Sequence, residues 1–249
     1  MDEFCERLAS GGRRVIRYDH RDTGESTSYP AGAPTYGGDD LYDDAVALIE
    51  RLAEGKAHVV GMSMGGALAQ QIALQDPKRV ATLTLLSTTA LATEDFDGPE
   101  LPSSAPRMVE YFASPPPEPD WNDREAVVEY LVDDLRLFSG RDGLDEARAR
   151  AQVERTYDRT RDMAATANHW ILEGGPGPWR DRLGTITAPT LVIHGTHDPL
   201  MPLPHGEALA NEIPHARLLT LDGVGHKTPP PQTWDVVVPA LLEHTNRAS

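Results

Sequence analysis

The sequence predicts an α/β fold, a mainly parallel sheet flanked by helices and interrupted by one helical insertion. Three observations carry that expectation. Short β-branched or leucine-rich runs alternate with helical patterns over 15–89 and again over 184–249, as strand-helix-strand crossovers require. The alternation breaks over 90–183, where helical patterns follow one another with no strand between them. Within the first block, His58-Val59-Val60-Gly61-Met62-Ser63-Met64-Gly65-Gly66 passes from a strand through Gly-x-Ser-x-Gly into an Ala- and Leu-rich helix without a linker.

A chain of 249 residues suffices for one domain with an insertion. The expected layout is a first core segment over 1–89, a helical lid over 90–183 and a second core segment over 184–249. The chain has 23 basic and 39 acidic residues, a net charge of −16, and no basic tract. That balance argues against nucleic acid and anionic membrane as partners. Cys5 is the only cysteine, which excludes an internal disulfide and disfavours a cysteine-based zinc site. Met1-Asp2-Glu3-Phe4 lacks an apolar leader core, and no run approaches the ~20 apolar residues of a membrane span. A soluble, cytoplasmic protein is expected.

Taken in order, residues 2–10 read as an amphipathic helix with Phe4 and Leu8 on one face and Gly11-Gly12 at its C-terminus. Val15–Asp19 reads as a strand and His20–Thr27 as the loop after it. Asp39–Leu52 is a helix with Leu41, Ala45, Leu48, Ile49 and Leu52 inward. His58–Gly61 is the next strand, and the helix after Ser63 runs to Asp76-Pro77. Val80–Leu86 follows as a strand. Inside the insertion, seven prolines from Pro99 to Pro119 precede helical patterns near 122–138 and 144–172. Trp121, Trp170 and Trp179, with Met108, Phe112 and Met163, either pack this insertion onto the body or line an apolar substrate pocket. Thr190–His194 (strand), Glu207–Glu212 (helix), Ala216–Leu221 (strand) and 232–245 (helix) complete the chain.

The Gly-x-Ser-x-Gly turn forces its serine into strained backbone geometry, so the positions two before and two after must be small, as Gly61 and Gly65 are. Ser63 is therefore the candidate nucleophile. The Met64 N–H, at a helix N-terminus, points where an oxyanion would form. Acyl transfer by serine also needs a base and a carboxylate that fixes the base's tautomer. In a parallel sheet such groups sit on loops after the carboxyl ends of strands, and Asp198 and His226 each follow a strand. Asp222, four residues before His226, is a rival acid ranked below Asp198 because it sits at the base of the same loop. His194 and His197 lack carboxylates at ligand spacing, so no metal is implied, and no organic cofactor either. Asp19 either meets the elbow or bonds backbone amides around Arg21 and Gly24; the second is preferred.

These residues match a known family. The whole chain resembles the α/β-hydrolase-fold serine esterases, whose triad also runs in the order Ser, Asp, His. Tyr18-Asp19-His20-Arg21-Asp22-Thr23-Gly24-Glu25-Ser26-Thr27 and Val59–Gly65 are most similar to the methyl esterases of aclacinomycin-type aromatic polyketide biosynthesis. His197-Asp198-Pro199, Pro204-His205-Gly206 and Gly223-Val224-Gly225-His226 extend the likeness. The resemblance implies hydrolysis of a small-molecule carboxylic ester, with a tetracyclic polyketide methyl ester as the substrate; the alternative is a general small-ester or lactone hydrolase. It also implies three further strands before residue 2, the third carrying the second oxyanion N–H. Their absence from this sequence keeps open a non-catalytic ligand-binding protein. It also leads us to expect a natural reading frame that begins roughly 30 residues upstream. A gap one strand wide, about 9 to 10 Å, is then expected between Val15–Tyr18 and His58–Val60.

Overall fold

The computed structural model describes residues 2–175 and 177–246. Four strands form one parallel sheet: β1 (Ala57–Met62), β2 (Val80–Leu86), β3 (Thr190–Gly195) and β4 (Arg217–Leu221), paired in that order. The helices are α1 (Asp2–Ser10), α2 (Gly38–Leu52), α3 (Met64–Gln75), α4 (Pro106–Ala113), α5 (Arg124–Leu137), α6 (Glu146–Arg159), α7 (Pro204–Glu212) and α8 (Trp234–Asn246). The expected α/β architecture is present.

Side-chain alternation along the strands divides the core into two layers. Leu83, Leu85 and Val192 face one side, with Ala45 of α2, Ala69 and Ile72 of α3, and Leu209 of α7. Leu86, Leu191, Ile193 and Leu221 face the other, with Phe4 of α1 and Trp234, Val237 and Leu241 of α8. Pro204 opens α7 at a position where its missing N–H costs nothing, and Asp123 caps α5 by accepting from Glu125 N and Ala126 N.

One expected strand is absent. Among the described residues Val15–Asp19 joins no ladder and β1 pairs only with β2, so the two segments are not paired. A strand is defined by its neighbour's backbone, and Val15–Asp19 has none. Val60 of β1 is 50% exposed, and Ile16 and Tyr18 are each 41% exposed. A cleft of about 740 Å³ lies elsewhere, and one of about 660 Å³ lies between Val15–Asp19 and the α6 residues Gln152, Arg155 and Arg159.

Between β2 and β3 the described residues hold helices and turns but no strand. The helix expected over 144–172 is in fact α6 and a separate 3-10 segment, Ala164–Trp170. Thr160 is extended at φ −84, ψ 131, and Asp162 starts the second segment by accepting from Ala164 N and Ala165 N. Helix α4, inside the proline-rich stretch, had no periodicity long enough to be read. The insertion carries its own small core, Val128, Val132 and Val153. It is tied to the body by Arg159 on Asp19, by buried Asn168 on buried Asp22, and by Arg180 on Glu212. Met108, Met163 and Trp179 are buried as packing residues; Trp170 and Phe112 stay exposed with ring centroids 5.8 Å apart.

Candidate active site

Ser63 stands between β1 and α3 with φ 51 and ψ −119, a left-handed region that only a tightly determined turn imposes on a side-chain-bearing residue. Its N–H donates to Leu86 O on the adjacent strand (3.0 Å), and its carbonyl accepts from Gly66 N (2.9 Å) and from Thr88 Oγ1 (2.8 Å). Of the two glycines expected to make room, Gly61 does so: a Cβ there would lie 2.0 Å from Gly65 O. A Cβ on Gly65 would meet nothing within 4 Å, whereas one on Gly66 would lie 2.7 Å from Thr88. The spatial requirement therefore falls on Gly61 and Gly66, a correction to the reading of Gly65. Met64 opens α3, so its N–H has no acceptor within the helix.

Asp198 and His226 meet. His226 Nδ1 lies 2.8 Å from Asp198 Oδ2, in a pair whose carboxylate is fully buried and whose imidazole is 8% exposed. Asp198 Oδ1 accepts from Leu200 N (2.9 Å) and Met201 N (2.8 Å), so neither oxygen is without a donor. The two loops are joined through backbone as well, by His197 N to Val224 O and Thr196 N to Leu221 O, each 3.0 Å. Asp222 points away. Its side chain is 81% exposed and pairs with Arg141 and Thr196. Among the described residues no hydrogen bond joins Ser63 Oγ to His226.

Other candidates resolve into structure. Asp19 accepts Glu25 N (3.1 Å), the backbone role preferred from sequence, and also a bidentate Arg159. His197 is bonded to Thr196 Oγ1, and His205 bridges Thr89 Oγ1 and Pro102 O. Burial holds His194 and His205 below the ordinary histidine range. Among the described residues no cluster of histidine, cysteine or carboxylate suits a metal ion. No described helix is long and apolar enough to cross a membrane.

Sequence reasoning missed Phe138. Its carbonyl accepts His226 N at 2.8 Å and its ring lies 5.9 Å from the imidazole, so the insertion itself braces the base loop. No local motif marks it, because the contact spans a long stretch of sequence. The cleft of about 740 Å³ is lined by Arg107, Ser139, Gly140 and His197 but not by Ser63, and so does not mark the nucleophile.

The strained serine thus stands at a strand-to-helix turn, and the histidine-aspartate pair lies on two neighbouring loops. A family model described as the alpha/beta hydrolase fold matches residues 2–229. This chain belongs to that family. The α/β hydrolase is 35% identical to "Rhodomycin D methylesterase DauP" of Streptomyces sp. (strain C5), over 100% of this chain and 86% of that one. It is 34% identical to "Rhodomycin D methylesterase DnrP" of Streptomyces peucetius, with the same coverage. Among solved structures, the enol-lactonase from Burkholderia xenovorans LB400 superposes with TM-score 0.68 at 22% identity, over 98% of this chain and 86% of that one. That likeness speaks to fold alone.

Proposed function

We propose that this α/β hydrolase is a serine carboxylic-ester hydrolase, and that its substrate is the methyl ester of an aromatic polyketide. The observation that carries the chemistry is the 2.8 Å bond from His226 Nδ1 to Asp198 Oδ2, formed at the same end of the sheet as the strained Ser63 turn. The likeness to two rhodomycin D methylesterases supports the substrate class.

With Nδ1 protonated toward Asp198, the lone pair of His226 is on Nε2, the nitrogen available to a serine hydroxyl. Ser63 Oγ attacks the ester carbonyl and its proton passes to Nε2. The carbonyl oxygen becomes an oxyanion facing the Met64 N–H. Collapse expels methoxide, which leaves as methanol with the proton from His226. Water, deprotonated by His226, then attacks the acyl-Ser63 ester and releases the carboxylic acid.

The test is Ser63→Ala against p-nitrophenyl esters and polyketide methyl esters. Loss of all measurable turnover in a protein with an unchanged far-UV spectrum is expected, because only a hydroxyl is removed. Activity within about tenfold of the parent would remove Ser63 from the reaction, since losing a nucleophile costs far more than that. One observation favours a second reading, a non-catalytic ligand-binding protein: Ser63 Oγ is not hydrogen-bonded to His226. Binding without hydrolysis across the whole ester panel would decide for that reading. Preference for p-nitrophenyl esters or lactones over polyketide methyl esters would make it a general hydrolase.

A further inference from the structure

Beside the Asp198-His226 pair lies a buried imidazole that the proposed reaction does not use. His194, on β3, is fully buried. Its Nε2 lies 2.7 Å from Met201 O, a contact that only an Nε2–H can donate. Nδ1 is then the bare nitrogen, and it is buried without a hydrogen-bond partner. An aliphatic strand residue would carry no such cost, so the packing of β3 does not account for an imidazole here.

Nε2 is 3.6 Å from Asp198 Oδ2, beyond hydrogen-bond range, so His194 reaches the carboxylate through Met201. The residue whose carbonyl His194 holds donates its own N–H to Asp198 Oδ1. The other two carbonyls of this turn are held from the insertion: Pro199 O by Ala105 N and Leu200 O by Ser104 Oγ, each at 2.7 Å. From the sheet itself, the His194 side chain holds the Met201 carbonyl, beside a longer backbone bond from Asp198 N to Gly195 O at 3.4 Å. Gly206 on α7 leaves room for the ring, since a Cβ there would lie 2.7 Å from His194 Cγ and Nδ1.

We propose that His194 is a positioning residue: by fixing Met201 it holds Asp198 Oδ1 on two amides and so aims Oδ2 at His226 Nδ1. The inference rests on the Ser63, His226 and Asp198 reading given above. The titratable groups acting on His194 are Asp198, His205 and His226. Burial keeps both His194 and His205 below the ordinary histidine range, and a neutral His194 does not compete with His226 for the carboxylate.

The experiment compares His194→Phe, His194→Gln and Gly206→Ala with the parent on p-nitrophenyl acetate. Phenylalanine keeps the ring and removes the donor, glutamine restores a donor, and Gly206→Ala displaces the ring without changing it. His194→Phe and Gly206→Ala should each lose about 10- to 100-fold in kcat with KM held within about twofold, as for a misplaced catalytic group. The acid limb of kcat/KM should move to lower pH in both, because a loosened carboxylate stabilises the His226 imidazolium less. His194→Gln should recover most of both effects. The downfield proton resonance of the His226 Nδ1–H reads the same bond without turnover, and it should weaken in the first two variants and persist in the third.

An unmoved acid limb and resonance in folded His194→Phe would overturn the proposal. If His194→Phe does not fold, Gly206→Ala and His194→Gln decide it: unmoved limb and resonance in Gly206→Ala, or no retention in His194→Gln, overturn it equally. Ser63→Ala assayed in parallel separates the two failures. Activity retained there sinks the esterase reading and this inference with it. A dead Ser63→Ala beside His194 variants of parental kcat sinks the positioning role alone.

Discussion

Asp198 has a donor on each oxygen, two amides on Oδ1 and the imidazole on Oδ2, and it is this complete satisfaction that makes a buried carboxylate tolerable. Asp222, four residues before the same histidine, is solvated and paired with Arg141. The difference yields a comparative prediction. Asp198→Asn should lower kcat by about 10⁴, the scale seen when an orienting carboxylate is neutralised in a serine triad. Asp222→Asn should change it by less than about twofold, as for an exposed ion pair worth little. Steady-state kinetics of the two variants check this, and the reverse ranking would move the acid to Asp222. Both aspartates are visible in the sequence; the difference in burial that separates them is not.

At the scale of elements, the turn at Ser63 shows how far a motif can be read. Gly-x-Ser-x-Gly between a strand and a helix identified the strained serine, and φ 51 at Ser63 bears out the strain. The motif did not identify which glycines are needed for space. Gly61→Ala, with its Cβ 2.0 Å from Gly65 O, should destabilise by about 3 kcal/mol or more through overpacking against backbone. Gly66→Ala, against the Thr88 side chain, should cost about 1 to 3 kcal/mol. Gly65→Ala, in open space in the first turn of α3, should be neutral or stabilise by up to about 1 kcal/mol. Urea denaturation of the three variants measures the order, and equal losses at 61 and 65 would contradict it. Elements with a clear period were legible almost to the residue: β2 spans Val80–Leu86 as expected, and α2 begins one residue early at Gly38. Helix α4 and the break between α6 and its following 3-10 segment were not, because short helices beside prolines are set by capping and tertiary contact, not by periodicity.

At the scale of the whole molecule, His20, His58, His194 and His205 are each held below the ordinary imidazole range, with burial as the largest cause. The unfolded chain takes up these protons near pH 6.5 while the folded protein refuses them until lower pH, so folding releases protons in that window. Their contribution is complete above about pH 6.5 and is lost as pH falls toward the depressed folded values. The unfolding midpoint should therefore be lower at pH 5.5 than at pH 7.5 by differential scanning fluorimetry. The paired carboxylates Asp19 and Asp158 are held below their ordinary range, so their loss belongs to more acid conditions and does not confuse this comparison. A midpoint that rises on acidification to pH 5.5 would count against the burial of these imidazoles.

By itself the sequence determined the α/β class, the four strands of the sheet, the Gly-x-Ser-x-Gly turn and the candidates Ser63, Met64, Asp198 and His226. Each of these is written in local patterns of a few residues: periodicity, glycine spacing, a β-branched run before a helix. Tertiary structure decided which carboxylate reaches His226, that Phe138 of the insertion braces the base loop, and that Val15–Asp19 stands outside the ladder in spite of a strand-like sequence. The physical reason is the same in all three. Hydrogen bonds between distant segments fix these features, and a strand, a buried acid or a brace exists only where another part of the chain supplies the partner.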